Sequence, residues 1–453
     1  MIRMIMATAL ALLLVGCKAD DPQASSETSP GGIAYSRLYL PDAKDVAIQI
    51  AWSTDWVSRD DVNQAVPYIG ADLMLSGGAE GYPAGQAVED FADLQAQASL
   101  SVTPDNILGS LMVPKENLDK AVKIANAHLR APLLDDKWLI RIRDGFAARM
   151  AESSGRPESR GFAALRWAAF GDAPIRAALS LDQPGMVESV TRDDVALWRS
   201  TVLSRANAKL VIAGALDAAE AGRIVDALLE GLPEGTPVPA LSIRASLKPK
   251  RILLHIPDAQ TSTLAFIAPL PPAAEGGEME DLILIRALGS GENSVLFDAV
   301  RTQLRAAYGF GAGLDGFTRA NRLLVLRGQV DADKLAQTEE VVRAAYSAFR
   351  SEGPMGALAD LKASLAERIQ IKTNDPASSA FSALMAVLDG QSPQMAFDLK
   401  QVLDAVSEAS LKARLQHLYP APEDFVVLAV SPNADALPGA CVITEPEQAK
   451  VCE

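Results

Sequence analysis

The chain has 453 residues, long for one domain and natural for two of about 200 each. Hydrophobic residues make up 49% and charged residues 22%, which excludes an intrinsically disordered protein. A net charge of −15 with only 5% aromatics excludes a nucleic-acid binder, which needs a basic stripe and stacking platforms.

The first residues carry one cation, Arg3, then a short apolar run ending Leu14-Val15-Gly16-Cys17. The run is too short to span a bilayer and reads as a secretory signal over residues 1–16. Its end resembles a bacterial lipobox, which implies cleavage before Cys17 and acylation of that residue. Lys18 stands where an Asp would retain the chain at the inner membrane. The resemblance therefore implies a lipoprotein on the periplasmic side of the outer membrane, with the lipid anchor as its only membrane contact. A plain signal with a chance cysteine is the alternative. Residues 17–32 are rich in Ser, Pro, Asp and Glu and are expected to form a flexible tether.

Residues 33–230 read as a first domain. Alternating patterns predict strands at Ala34–Leu40, Val46–Trp52, Ala98–Val102 and Leu108–Val113. Helical periodicity covers Val66–Ser76, and Gly85–Gln95 with Val88, Phe91 and Leu94 inward. Longer helices are expected over Lys115–Arg130, Asp136–Ser153, Pro157–Phe170 and Thr191–Val202, the last opened by Thr191 and Asp194 in capping positions. Strand Lys209–Ala213 and helix Ala218–Leu229 close the block. Pro and Gly cluster after it, marking a linker at 231–250.

Residues 251–435 repeat the order. Strands are expected at Ile252–His255, Ser262–Ile267, Leu323–Val330 and Phe425–Val430. Helices are expected over Leu282–Leu288, Lys334–Ser351, Gly356–Lys372, Ala377–Leu388 and Ser407–His417. Met112–Leu118 and Gln329–Leu335 both read as a strand, an acidic turn and a helix start. Pro157 and Pro376 both open helices, where a missing N–H costs nothing. A repeat of this length is a domain duplication.

Leu288–Gly313 has the most distinctive pattern. A glycine turn, Leu288-Gly-Ser-Gly291, precedes Glu292 and Asn293, acceptors suited to a helix start. An amphipathic run with Val295, Leu296, Ala299 and Val300 on one face follows, then a glycine-alternating strand. Arg301 and Tyr308 lie seven residues apart within it.

Together these features resemble the insulinase/pitrilysin-type metallopeptidases over roughly Ile33 to Val430. The carrying motifs are Leu288–Gly291 with Arg301 and Tyr308, Asp258-Ala-Gln-Thr-Ser262, and Phe170-Gly-Asp-Ala-Pro174. The resemblance implies an α+β fold: two homologous α/β-roll domains, each a mixed sheet flanked by helices, forming one half of a clamshell. Active members carry H-x-x-E-H on the first helix, two histidines for Zn²⁺ and a glutamate as general base. The matching stretch here is Pro67–Gly78, which puts Ile69 and Leu73 at the histidine positions and Asp72 at the glutamate. Ile and Leu have no lone pairs to offer a metal. The helix that should supply a further Glu, Arg141–Arg149, is basic.

Some relatives divide the work between two chains, one with the zinc motif and one with the Arg/Tyr pair. This chain matches the second kind. The resemblance implies that it holds no metal and that a homologous zinc-bearing partner subunit does. Arg301 and Tyr308 are then the catalytic residues, holding peptide substrate and donating to the oxyanion in the partner's site. A structural or peptide-binding pseudo-peptidase with no part in chemistry is the alternative. His128, His255 and His417 are far apart in sequence and suggest no metal site. With Cys17 acylated, Cys441 and Cys452, in the tail at 436–453, are left to pair as a disulfide. Two free thiols is the other reading.

Overall fold

Two six-stranded mixed sheets carry the fold of the computed structural model, which describes residues 22–307, 309–354 and 356–453. The first half runs β1 (Gln23–Thr28), β2 (Ala34–Tyr39), β3 (Asp45–Ser53), α1 (Val66–Ser76), α2 (Ala87–Ala92), β4 (Gln97–Val102), β5 (Asn106–Pro114) and α3 (Leu118–Arg130). It continues with α4 (Asp136–Ser154), α5 (Pro157–Phe170), α6 (Pro174–Ser180), α7 (Arg192–Val202), β6 (Ala208–Gly214) and α8 (Ala218–Leu229). Its sheet order is β1-β2-β6-β3-β5-β4.

The second half begins with β7 (Lys250–His255), β8 (Ser262–Leu270), α9 (Glu278–Gly289), α10 (Val295–Phe297), β9 (Phe310–Gly316) and β10 (Arg322–Val330). Helices α11 (Leu335–Glu352), α12 (Leu358–Asn374), α13 (Pro376–Leu388), α14 (Met395–Ala405) and α15 (Glu408–His417) follow, then β11 (Val426–Ser431) and β12 (Cys441–Ile443). The order is β12-β7-β11-β8-β10-β9, in which β7-β11-β8-β10-β9 repeats β2-β6-β3-β5-β4 and the added edge strand differs. The duplication read from the sequence is therefore a duplication of topology. Among the described residues no helix is long and apolar enough to cross a membrane.

The expected tether and tail differ from what is found. Residues 23–28 form β1, antiparallel to β2, and residues 441–443 form β12, parallel to β7. Each adds a sixth strand at the same edge of its sheet. Gln-Ala-Ser-Ser-Glu-Thr has no apolar alternation because an edge strand is held by backbone bonds and needs little core contact. Helix α2 is shorter than expected. Ala87 and Phe91, one turn apart, set its inner face, and Val88 points outward at 82% exposure. Helices α6 and α14 were not expected.

Helix α5 of the first half packs on the second sheet, where Ala164 and Leu165 join Ile252, Leu254, Ile267 and Leu428. Gly161 lets the backbones close in, since a Cβ there would sit 2.9 Å from Val430 Cγ2. Reciprocally, Ala380, Ala383 and Leu384 of α13 pack on Leu38, Ala47, Val211 and Ala213 of the first sheet. Strands β3, β6 and β11 are thereby covered on both faces, which explains their near-continuous apolar runs. The segment at 231–250 has no regular structure before β7, yet it is fastened: Asn321 Nδ2 donates to Ile243 O at 2.6 Å and Ser246 N to Ala169 O at 2.9 Å.

Candidate functional site

The positions expected to match the zinc motif lie on α1, which packs against α3, α4, α7 and β4. Ile69 and Leu73 are 0% exposed and belong to the first hydrophobic core. Ile142, Phe146 and Met150 of α4 and Trp138 pack against that core. Positions 69 and 73 therefore lack donor atoms and lack access to a metal. Among the described residues no group of three or more His, Cys, Asp or Glu is arranged to hold a metal ion. Zinc does not fit the side chains at positions 69 and 73.

Asp72 faces outward from α1. Partial desolvation pushes its carboxyl above the usual range, against the pull of the Arg149 guanidinium. Tyr68 lies one turn earlier on the same face; its hydroxyl donates to Ala178 O at 3.2 Å, and burial pushes its phenol up. The Tyr68 ring is 6.4 Å from that of Phe146, over which Arg149 sits at 5.4 Å. Sequence reading missed this cluster. Its signal is the 68/72 spacing on α1, one position off the 69/73 pair.

The three histidines are dispersed. His128 of α3 is buried against the end of α1, with Nδ1 2.8 Å from Met74 O, and burial lowers its pKa. His255 Nε2 lies 3.1 Å from Pro432 O, and His417 is exposed on α15. Cys441 and Cys452 are joined by a disulfide.

The arginine-bearing stretch begins where α9 ends. A Cβ on Gly289 would fall 1.9 Å from Ala312 N, so α9 can meet β9 only with glycine there. Ser294 precedes the next turn without capping it, and its hydroxyl donates back to Gly291 O at 2.7 Å. After α10 the backbone widens into a π-helix over Asp298–Gln303. Leu296, Ala299 and Val300 face the core, and Arg301 is exposed on the outer side. Arg301 Nη1 donates to Ala307 O at 3.4 Å. Arg305 adopts a left-handed φ of 55°, and its carbonyl accepts from Lys334 Nζ at 2.9 Å. A π-turn of this kind aims one side chain away from the helical path. Tyr308 and Cys17 lie outside the described residues. Ile69, Asp72 and Leu73 thus share one helix in the first half, and Arg301 is held in the second, where its π-turn packs on α11.

Residues 189–365 match the family described as Peptidase M16 inactive domain. No curated protein sequence matches the chain. Among solved structures, a peptidase M16 inactive domain from Pseudomonas fluorescens is similar at 17% identity and TM-score 0.81, over 90% of this chain and 98% of that one. A protease from Helicobacter pylori is similar at 13% identity and TM-score 0.75, over 91% and 100%. The periplasmic protease PqqL from Escherichia coli matches at 13% identity and TM-score 0.71, over 96% of this chain and 50% of that one. Residues 189–365 thus resemble the Peptidase M16 inactive domain family, and the chain shares the fold of these solved structures across both halves.

Proposed function

We propose that this chain is the zinc-free subunit of a heterodimeric zinc peptidase, binding peptide and supplying Arg301 and Tyr308 to a partner's active site. The observation that carries the reading is a division within the chain. The positions where a metal would be held are core hydrocarbon, Ile69 and Leu73, while Arg301 is presented outward on a π-turn. The arginine would hold substrate backbone, and the tyrosine hydroxyl would donate to the oxyanion of the scissile carbonyl. The partner's zinc would supply the metal chemistry. The lipobox-like Cys17 would anchor the complex on the periplasmic side of the outer membrane.

The test is to co-purify the chain with a homologous subunit carrying H-x-x-E-H and assay a quenched peptide. Tyr308→Phe is expected to lower the turnover of the complex by about 10²–10³, the effect of losing one oxyanion donor. An unchanged rate would sink the catalytic role and leave the inert pseudo-peptidase. Fractionation of the same cells checks the anchor: the chain should leave the membrane fraction on Cys17→Ser.

A further inference from the structure

Helix α5 covers the second sheet only in part. Strand register sets three rows across the face that the helix meets. The first is Val325, Ile267 and Val426; the second Arg327, Ala265 and Leu428; the third Gln329, Thr263 and Val430. The first row joins Ala164 and Leu165 of α5 in one apolar cluster. Beyond it, Gly161 on the helix and Ala265 and Thr263 on the sheet are too small to fill the space between them. A cavity of about 390 Å³ remains there, lined by residues of both halves.

The floor of the cavity is aliphatic: Ile267, Leu428 and Val430 are at most 5% exposed. Among the described residues Arg327 is the one cation in the lining. Its guanidinium sits 5.5 Å from the centre of the Phe162 ring of α5, which holds the planar group at the wall and leaves its edge donors open. Its neighbours across the strands are Gly311 and Ala265, so no side chain beside it offers an acceptor. Among the described residues it has no carboxylate within 4 Å and no side-chain hydrogen bond. Glu158 is the one anion in the lining. It stands one turn before Phe162, in the first turn of α5, where the helix dipole favours a negative charge. It accepts from Gln329 Nε2 at 3.4 Å. The cation thus belongs to the second row and the anion is bonded to the third, with no ion pair between them.

We propose that this cavity binds the apolar C-terminal residue of a peptide, with the carboxylate on Arg327 and the side chain on the aliphatic floor. Arg327 offers the planar donor fork that matches a carboxylate. Glu158 accepts a backbone N–H of the same peptide. A volume of about 390 Å³ is near the small end of ligand sites, which suits one or two residues and excludes a long segment. The two opposite charges favour a peptide end over a fatty acid, which has an apolar body and a carboxylate but no donor for Glu158. The inference rests on the peptide-binding part of the proposed function and names its substrate class, peptides that end in a large apolar residue.

The experiment is calorimetric titration of the full chain with four ligands: an acetylated neutral pentapeptide ending in a free leucine carboxylate, its C-terminal amide, the same peptide ending in glycine, and decanoate. Amidation is expected to weaken binding about tenfold or more, the scale of one charge-assisted hydrogen bond. Glycine in place of the leucine should weaken it about tenfold to a hundredfold, the scale of burying one such side chain. Arg327→Gln should bring the free acid down to the affinity of the amide and leave the amide unchanged, and Arg327→Lys should recover part of the loss. Ala265→Leu fills the cavity from its floor and should weaken the leucine peptide while sparing the glycine one. Glu158→Ala should weaken the leucine peptide and not decanoate. Arg327 is exposed, so its variants keep the test valid if Ala265→Leu fails to fold. Equal affinity for the acid and the amide overturns the site and leaves peptide binding standing. Decanoate binding tighter than the leucine peptide overturns the peptide as occupant and assigns the cavity to a lipid carboxylate. Failure of all four ligands to bind overturns the inference, while the catalytic role stands or falls separately on the Tyr308→Phe assay of the complex.

Discussion

Asp281 is completely buried at the start of α9, the helix that delivers the glycine turn and Arg301. Arg414 of α15 donates to it through Nε and Nη2 at 2.5 and 2.6 Å, and Arg322 of β10 donates to the same carboxylate. Both arginines are at most 10% exposed. Asp281→Asn keeps the shape and removes the charge, leaving two guanidinium groups with no anion. Breaking a buried pair in this way costs about 3–5 kcal/mol. The unfolding entropy is about 2.1 cal/mol/K per residue, so 3–5 kcal/mol lowers Tm by about 3–6 °C if some 430 residues melt together. If the second half, about 200 residues, melts alone, the same loss is about 7–12 °C. Scanning calorimetry of the full chain reads both numbers. The crossed packing of α5 and α13 favours the smaller shift in a single transition. A loss below about 1 kcal/mol would refute the view that Asp281 neutralises the two arginines.

Leu384→Ala on α13 should destabilise the protein by about 2–5 kcal/mol, because the residue is fully buried against the first sheet. Hydrogen exchange should then show weakened protection in β3 and β6, in the other half of the chain; protection lost only in the second half would contradict the crossed packing. His128 is neutral in the fold because burial depresses its pKa, outweighing the Met74 carbonyl and Asp90. The unfolded chain therefore binds the extra proton first as pH falls below about 6.5. Its contribution is complete above that pH and is lost as pH drops through the folded pKa. His128→Gln should flatten that limb of a denaturation-midpoint profile, and an unchanged slope would assign the limb to other groups.

The order of elements was legible in sequence because strands and helices here keep clean periods of two and 3.6. Helices α1, α5 and α8 occupy the spans their patterns predict. The lack of metal-ligand atoms at Ile69 and Leu73 was also legible, since neither side chain has a donor atom in any conformation. The rest depended on placement in space. Gln23–Thr28 became a strand because β2 offered an open edge, a partner invisible to local pattern. The apolar faces of α5 and α13 were evident, but each covers the opposite half's sheet, and periodicity names a buried face without naming what buries it. The π-turn at Arg301 follows from how Leu296, Ala299 and Val300 seat in the core. The buried ion cluster is the plainest case: Asp281, Arg322 and Arg414 sit on α9, β10 and α15, and folding brings them together. Sequence determined which atoms are present and which chemistry they cannot perform. Tertiary structure decided which charges share one low-dielectric surface, because that depends on distances between residues far apart in the chain.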